Sequence, residues 1–185
     1  MNFNLITQSF SKMTNEILSS FKKKITLSSP IILILIFFII DTFPFYFFEN
    51  FSIKTQLTIT CIYSWIVINY SRLRPLIILA FAFIFDVYNN LVFGISSLFL
   101  IFILIFQKQD NDFLASTFFK NTWIKFLIFS VCYNFFTIGT QKFLFTKETF
   151  FLPETIISMI ISILFFPVVF LITNFFNEKI KDYDE

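Results

Sequence analysis

Histidine is absent from this chain of 185 residues, and glycine occurs only twice. The first absence removes the commonest metal ligand and the commonest general base near neutral pH. The second leaves no GxxxG helix-pairing motif and no glycine-rich phosphate loop. Charge is scarce too, at 14% of residues, against roughly 25% in soluble domains. A chain so poor in charge cannot clothe a water-facing surface, which excludes a soluble globular protein and a disordered one. The net charge of +2 is too small to point to nucleic acid. Cys61 and Cys132 both fall in apolar stretches and read as small apolar packing residues rather than a disulfide. No HExxH, no serine in a glycine-rich turn and no repeated pore motif is present. The chain therefore reads as non-enzymatic, with neither cofactor nor metal.

What is abundant is apolar side chain: 57% of residues, 33 of them Phe, with a mean hydropathy of +0.80. Windows of about 20 apolar residues, enough to cross ~30 Å of hydrocarbon, tile most of the chain. The expected fold is an all-α integral membrane bundle of six spans, at 28–48, 52–70, 75–90, 93–107, 122–140 and 153–177. Residues 75–107 as one helix would be about 50 Å long, too long for one crossing. A break near Asn89, Asn90 and Gly94 makes spans three and four a short helical hairpin. Residues 1–27 carry Phe3, Ile6, Phe10, Met13, Ile17 and Phe21 at helical steps and end in Lys22, Lys23 and Lys24. They read as a cytoplasmic amphipathic leader on the membrane surface, and 178–185 as a cytoplasmic tail. Six spans place 11 of the 14 Lys and Arg on the side of the termini, leaving Lys54, Lys142 and Lys147 opposite. Five spans would divide them eight to six, so the positive-inside rule favours six, with both termini cytoplasmic. Pro75 suits a first helical turn. Pro167 should kink the sixth helix, neighbouring groups satisfying the carbonyl it frees.

Polar residues within apolar spans are few and therefore informative. Asp86 lies deep in the third span, where a carboxylate is costly and faces the bundle interior. Asn89 and Asn90 stand three and four residues on, on the same helical face. With Gly94 these residues read as a polar knot that tethers the hairpin or binds something, or else Asp86 merely caps or crosses to a neighbouring helix as a structural bond. Ser130, Asn134, Thr137 and Gln141 form one polar stripe along the fifth span, which in lipid wants a protein neighbour, either a helix of this chain or another subunit. Ser158 and Ser162 make a close-approach step in the sixth span, and Thr60 with Ser64 repeat it in the second. Asp41, near the outer end of the first span, can reach the interface near Lys54. Tyr46, Trp65, Tyr70 and Trp123 read as interfacial anchors or packing residues.

The segment from Arg72 to Gln109, RLRPLIILAFAFIFDVYNNLVFGISSLFLIFILIFQKQ, resembles the MreD family of rod shape-determining membrane proteins, small six-span proteins of the bacterial inner membrane. Their usual hairpin carries a glycine four residues before an aspartate, another four after it, and a third opening the next helix. Asp86 and Gly94 match, while Ala82 and Asn90 replace the first two glycines. Pro44, the second span with Tyr63 and Trp65, and the closing helix with Pro167 extend the likeness over residues 30–180. The resemblance implies a non-enzymatic scaffold of cell elongation that helps regulate cell shape and coordinate peptidoglycan synthesis. Its implied partners are an MreC-like periplasmic coat protein, a RodA-like glycosyltransferase with its transpeptidase, and MreB filaments. Two readings compete with it. One is the substrate-binding membrane subunit of an energy-coupling-factor vitamin transporter, though the chain has little Ala or Gly and no loop long enough for a lid. The other is an orphan subunit of a respiratory or secretion complex.

Overall fold

The computed structural model describes residues 23–24, 26–43, 45–48, 51–53, 55–69, 73–107, 118–144 and 152–182. The leader expected over 1–27 lies outside them except for its last few residues, which are helical and lead into the first long helix, and of the tail only 178–182 is described. Six helices and one two-stranded hairpin follow in order: α1 Ser29–Thr42, β1 Phe45–Phe48, β2 Phe51–Ile53, α2 Leu57–Asn69, α3 Pro75–Tyr88, α4 Ile95–Gln107, α5 Phe118–Leu144 and α6 Leu152–Lys181. The described residues are thus a helical fold with one short hairpin, and the helix expected over 28–48 stops at Thr42.

The reason is local. Phe43 precedes Pro44, whose ring disfavours helical backbone in the residue before it, and Phe43 is extended at φ −89° and ψ 109°. The aromatic run that follows favours a pleated strand over a helix. β1 and β2 pair antiparallel, with Phe45 opposite Ile53 and Tyr46 opposite Ser52, and an irregularity before Phe48. Pro30 sits in the first turn of α1, and Pro75 in that of α3, where a missing N–H costs nothing.

Successive helices run in alternating directions. The start of α2, the end of α3, the end of α5 and the start of α6 gather at the hairpin end, where they line one cavity. At the opposite end the Asn69 amide donates to the Asn177 side-chain oxygen at 3.3 Å, tying the end of α2 to that of α6. The middle of the bundle is α2: every residue from Leu57 to Val67 is buried, as suits a helix enclosed on all sides. It packs against α1, α3, α4 and α6. Beside it Tyr63, Phe126 and Phe166 form an aromatic core, the last two stacked at 4.4 Å between ring centres.

The outward faces are apolar. Leu76, Leu98, Phe135, Leu164 and Leu171 are exposed, Phe135 to 79%. α5 and α6 are long and apolar enough to cross a membrane, over residues 119–143 and 153–181; the other four are apolar helices of 10–17 residues.

Candidate functional site

Asp86 is fully buried near the end of α3, and its carboxylate caps the start of α4. Oδ2 accepts the Gly94 N–H at 2.9 Å, and the Ser96 N–H lies 3.2 Å from Oδ1 and 3.3 Å from Oδ2. The first turn of a helix has N–H groups without intrahelical partners, and a carboxylate both satisfies them and complements their positive dipole. The chain reaches this position through a Schellman turn. The Leu91 N–H donates to the Asp86 carbonyl at 2.9 Å and the Asn90 N–H to the Val87 carbonyl at 3.2 Å. Asn90 supplies the left-handed residue, at φ 52°, and Gly94 follows at φ 95°. Asn89 turns inward on its own helix, its amide donating to the Phe85 carbonyl at 3.1 Å. Asp86, Asn89, Asn90 and Gly94 therefore form one unit, and its bonds are those of a helical hairpin.

The stripe on α5 faces the interior of this same chain: Ser130, Asn134, Thr137 and Gln141 are all buried. Asn134 pairs with Gln56 amide to amide, at 2.9 and 3.3 Å. The Gln141 amide donates to the Asn90 carbonyl at 3.3 Å, so the stripe meets the α3–α4 turn. Ser158 and Ser162 are buried on α6, where the Ser162 hydroxyl accepts the Gln56 N–H at 3.2 Å and donates to the Ser158 carbonyl at 2.8 Å. Between these groups lies a cavity of about 210 Å³. The side-chain oxygen of Gln141 is buried without a hydrogen-bond partner among the described residues.

Two features escaped the sequence. Asp41, expected to reach out toward the interface, turns inward instead: it is buried, 2% exposed, while Lys54 lies outside the described residues. Its carboxylate accepts the Leu57 and Thr58 N–H groups at 3.0 and 2.7 Å and the Thr55 and Thr58 hydroxyls at 2.5 Å each. It caps α2 as Asp86 caps α4. Gln56, the partner of both Asn134 and Ser162, is the second: a single amide at a helix start carries no motif.

Pro167 lies inside α6, which runs through it without interruption. Its missing N–H would have bonded the carbonyl of Ile163, and the Trp123 indole N–H donates to that oxygen instead, at 3.4 Å. Trp65, by contrast, is fully buried in the core. Cys61 and Cys132 are free, the first buried and the second exposed. Among the described residues no three His, Cys, Asp or Glu side chains gather as a metal group. No family model, no curated protein and no solved structure matches the chain.

Proposed function

We propose that the chain is a multi-pass scaffold of the bacterial inner membrane, of the MreD kind, that serves cell elongation by binding partners rather than by chemistry. All six helices cross the bilayer in this reading, with both termini in the cytoplasm and the β hairpin at the periplasmic end. One observation carries it. The positions on which the MreD resemblance rests, Ala82, Asp86, Asn90 and Gly94, make a single structural unit: a buried small residue, a capping carboxylate and two left-handed turn residues. A match scattered over unrelated positions would not support the reading in this way. The polar groups of the bundle serve helix caps and inward packing, which leaves apolar outer faces for lipid and partner helices. The partners in this reading are an MreC-like coat protein, a RodA-like glycosyltransferase with its transpeptidase, and MreB filaments.

Co-purification of the tagged chain from its own membranes in mild detergent, with mass spectrometry of what stays bound, tests the proposal. A single-span coiled-coil protein together with a polytopic wall glycosyltransferase is the expected result. A pair of ATPases with a second transport subunit would overturn it in favour of a vitamin-carrier subunit.

A further inference from the structure

Glycine is the poorest helix former after proline, and the chain has only two. Gly94 is accounted for by its positive φ. Gly139 is not: it lies inside α5, and its φ is not positive. A Cβ built on it meets no atom within 4 Å beyond its own stretch of helix, and the residue is exposed. Nothing in the described bundle asks for glycine there, and alanine would make the better helix. The missing side chain leaves a notch between the two most exposed phenylalanines of the described residues. Phe135, one turn before, is 79% exposed, and Phe143, one turn after, is 86% exposed. Cys132, two turns before Gly139 on the same face, is exposed as well. The outward face of α6 is different: Ile160, Leu164, Val168 and Leu171 make an unbroken aliphatic ridge. Lipid gains nothing from a notch, whereas a second helix does, because glycine lets two backbones approach closely.

We propose that α5 pairs with α5 of a second copy of this chain, the two helices crossing at Gly139. The inference rests on α5 crossing a bilayer, as read above, and on no other part of that reading. Copies inserted in one membrane share an orientation, so their α5 helices meet in parallel about a two-fold axis. A residue on that axis meets its own counterpart, and at close approach only a small one fits. Phe135 and Phe143 then flank the crossing, each beside its mate and within reach of ring-to-ring packing. The area suffices. At roughly 200 Å² for each Phe, the exposed parts of Phe135 and Phe143 come to about 300 Å². With Ile128, Cys132 and Phe136 on the same flank, about 500 Å² is available per copy, or about 1,000 Å² in all, where specific interfaces begin. Charge sets the angle. Lys125 is exposed on this face, about four turns from Gly139. In a right-handed crossing of about 40° the helices diverge, which holds the two Lys125 residues about 15 Å apart, beyond a screening length of about 10 Å. A straight seam would set them side by side.

The test cross-links the full chain with a short bismaleimide, in its own membranes and, after purification, in phosphatidylcholine liposomes. Cys132 is the reporter, exposed where Cys61 is buried, and across the crossing two Cys132 residues stand about 10 Å apart. Expected is a dimer band in both settings, absent in Cys132→Ser and reduced about tenfold or more in Gly139→Leu, with Gly139→Ala between. Gly139→Leu places its side chain in open space, so in detergent diluted to the monomer it should melt no lower than the wild type. A lower melting temperature would show that another segment of this chain covers the face, and would overturn the pairing. So would a cross-link that Gly139→Leu leaves intact, or cross-linking to a different protein in membranes with no dimer in liposomes. A membrane-bound chain that yields no dimer removes this inference and leaves the scaffold reading standing. A chain recovered in the soluble fraction removes both.

Discussion

At the residue scale the bundle depends on two buried carboxylates that do the same job. Asp86 accepts the Gly94 and Ser96 N–H groups at the start of α4, and removing it leaves both without their partner, the Ser96 one fully buried, at a cost on the order of 1–3 kcal/mol. Asp86→Leu is therefore expected to lower the melting temperature in detergent, with Asp86→Asn, whose amide oxygen can still accept, falling between. Asp41 accepts from two N–H groups and two hydroxyls, so Asp41→Leu should destabilise more than Asp86→Leu in the same assay. Equal melting of both variants with the wild type would show that the caps are dispensable. Gly94 offers a cleaner case. A Cβ there would meet only the Phe83 ring, at 3.7 Å, so space is available and only the backbone objects. Gly94→Ala is expected to cost roughly 1–2 kcal/mol through its positive φ, again read from melting. Asn90→Gly, which relieves the same kind of strain, should melt no lower than the wild type.

At the element scale the unusual feature is a proline carried through an uninterrupted helix by a tryptophan from the helix beside it. Trp123→Phe removes the donor to the Ile163 carbonyl and should cost on the order of 1 kcal/mol. Pro167→Ala restores an N–H to α6 in the place that carbonyl expects, so in that background Trp123→Phe should cost much less. A double-mutant cycle in thermal or denaturant unfolding reads the coupling, and strict additivity would sink the pairing. The same scale shows what could be read from the sequence and what could not. The break between α3 and α4 was legible because its chemistry is local: Asn90, Gly94 and the groups Asp86 caps all lie within ten residues. The partners of Asp41 lie 14–17 residues away across a hairpin, and no spacing announces them. The end of α1 is not legible from hydropathy, which treats Phe45, Tyr46 and Phe48 as more of the same apolar run, although Pro44 and the aromatics that follow it favour a strand. The α5 stripe was legible as a stripe, but its period is identical whether the face meets this chain or another. Only the packing against Gln56 and Asn90 decides that it turns inward.

At the scale of the whole molecule, six alternating helices put the start of α1 and the end of α6 at the same end. In the six-span reading, reporter fusions at residue 111 and at the C-terminus should report cytoplasm, and one at residue 147 should report periplasm. A periplasmic C-terminus would defeat that reading. The helices are also unequal. α1 to α4 have 13 or 14 residues each, or about 20 Å at 1.5 Å per residue. α5 and α6 have 27 and 30, or roughly 40–45 Å by the same rise. A hydrocarbon layer of about 30 Å is too thick for the first group and too thin for the second. With all six helices in the bilayer, lipid must be pinched along the flank made by α1, α3 and α4, while α5 and α6 lean over to shorten their reach. Such a lopsided collar makes the surrounding membrane elastic energy, which falls when a neighbour with equally short helices shares the thinned patch. Membrane thickness would then draw partners to one side of the molecule before any side chain touches.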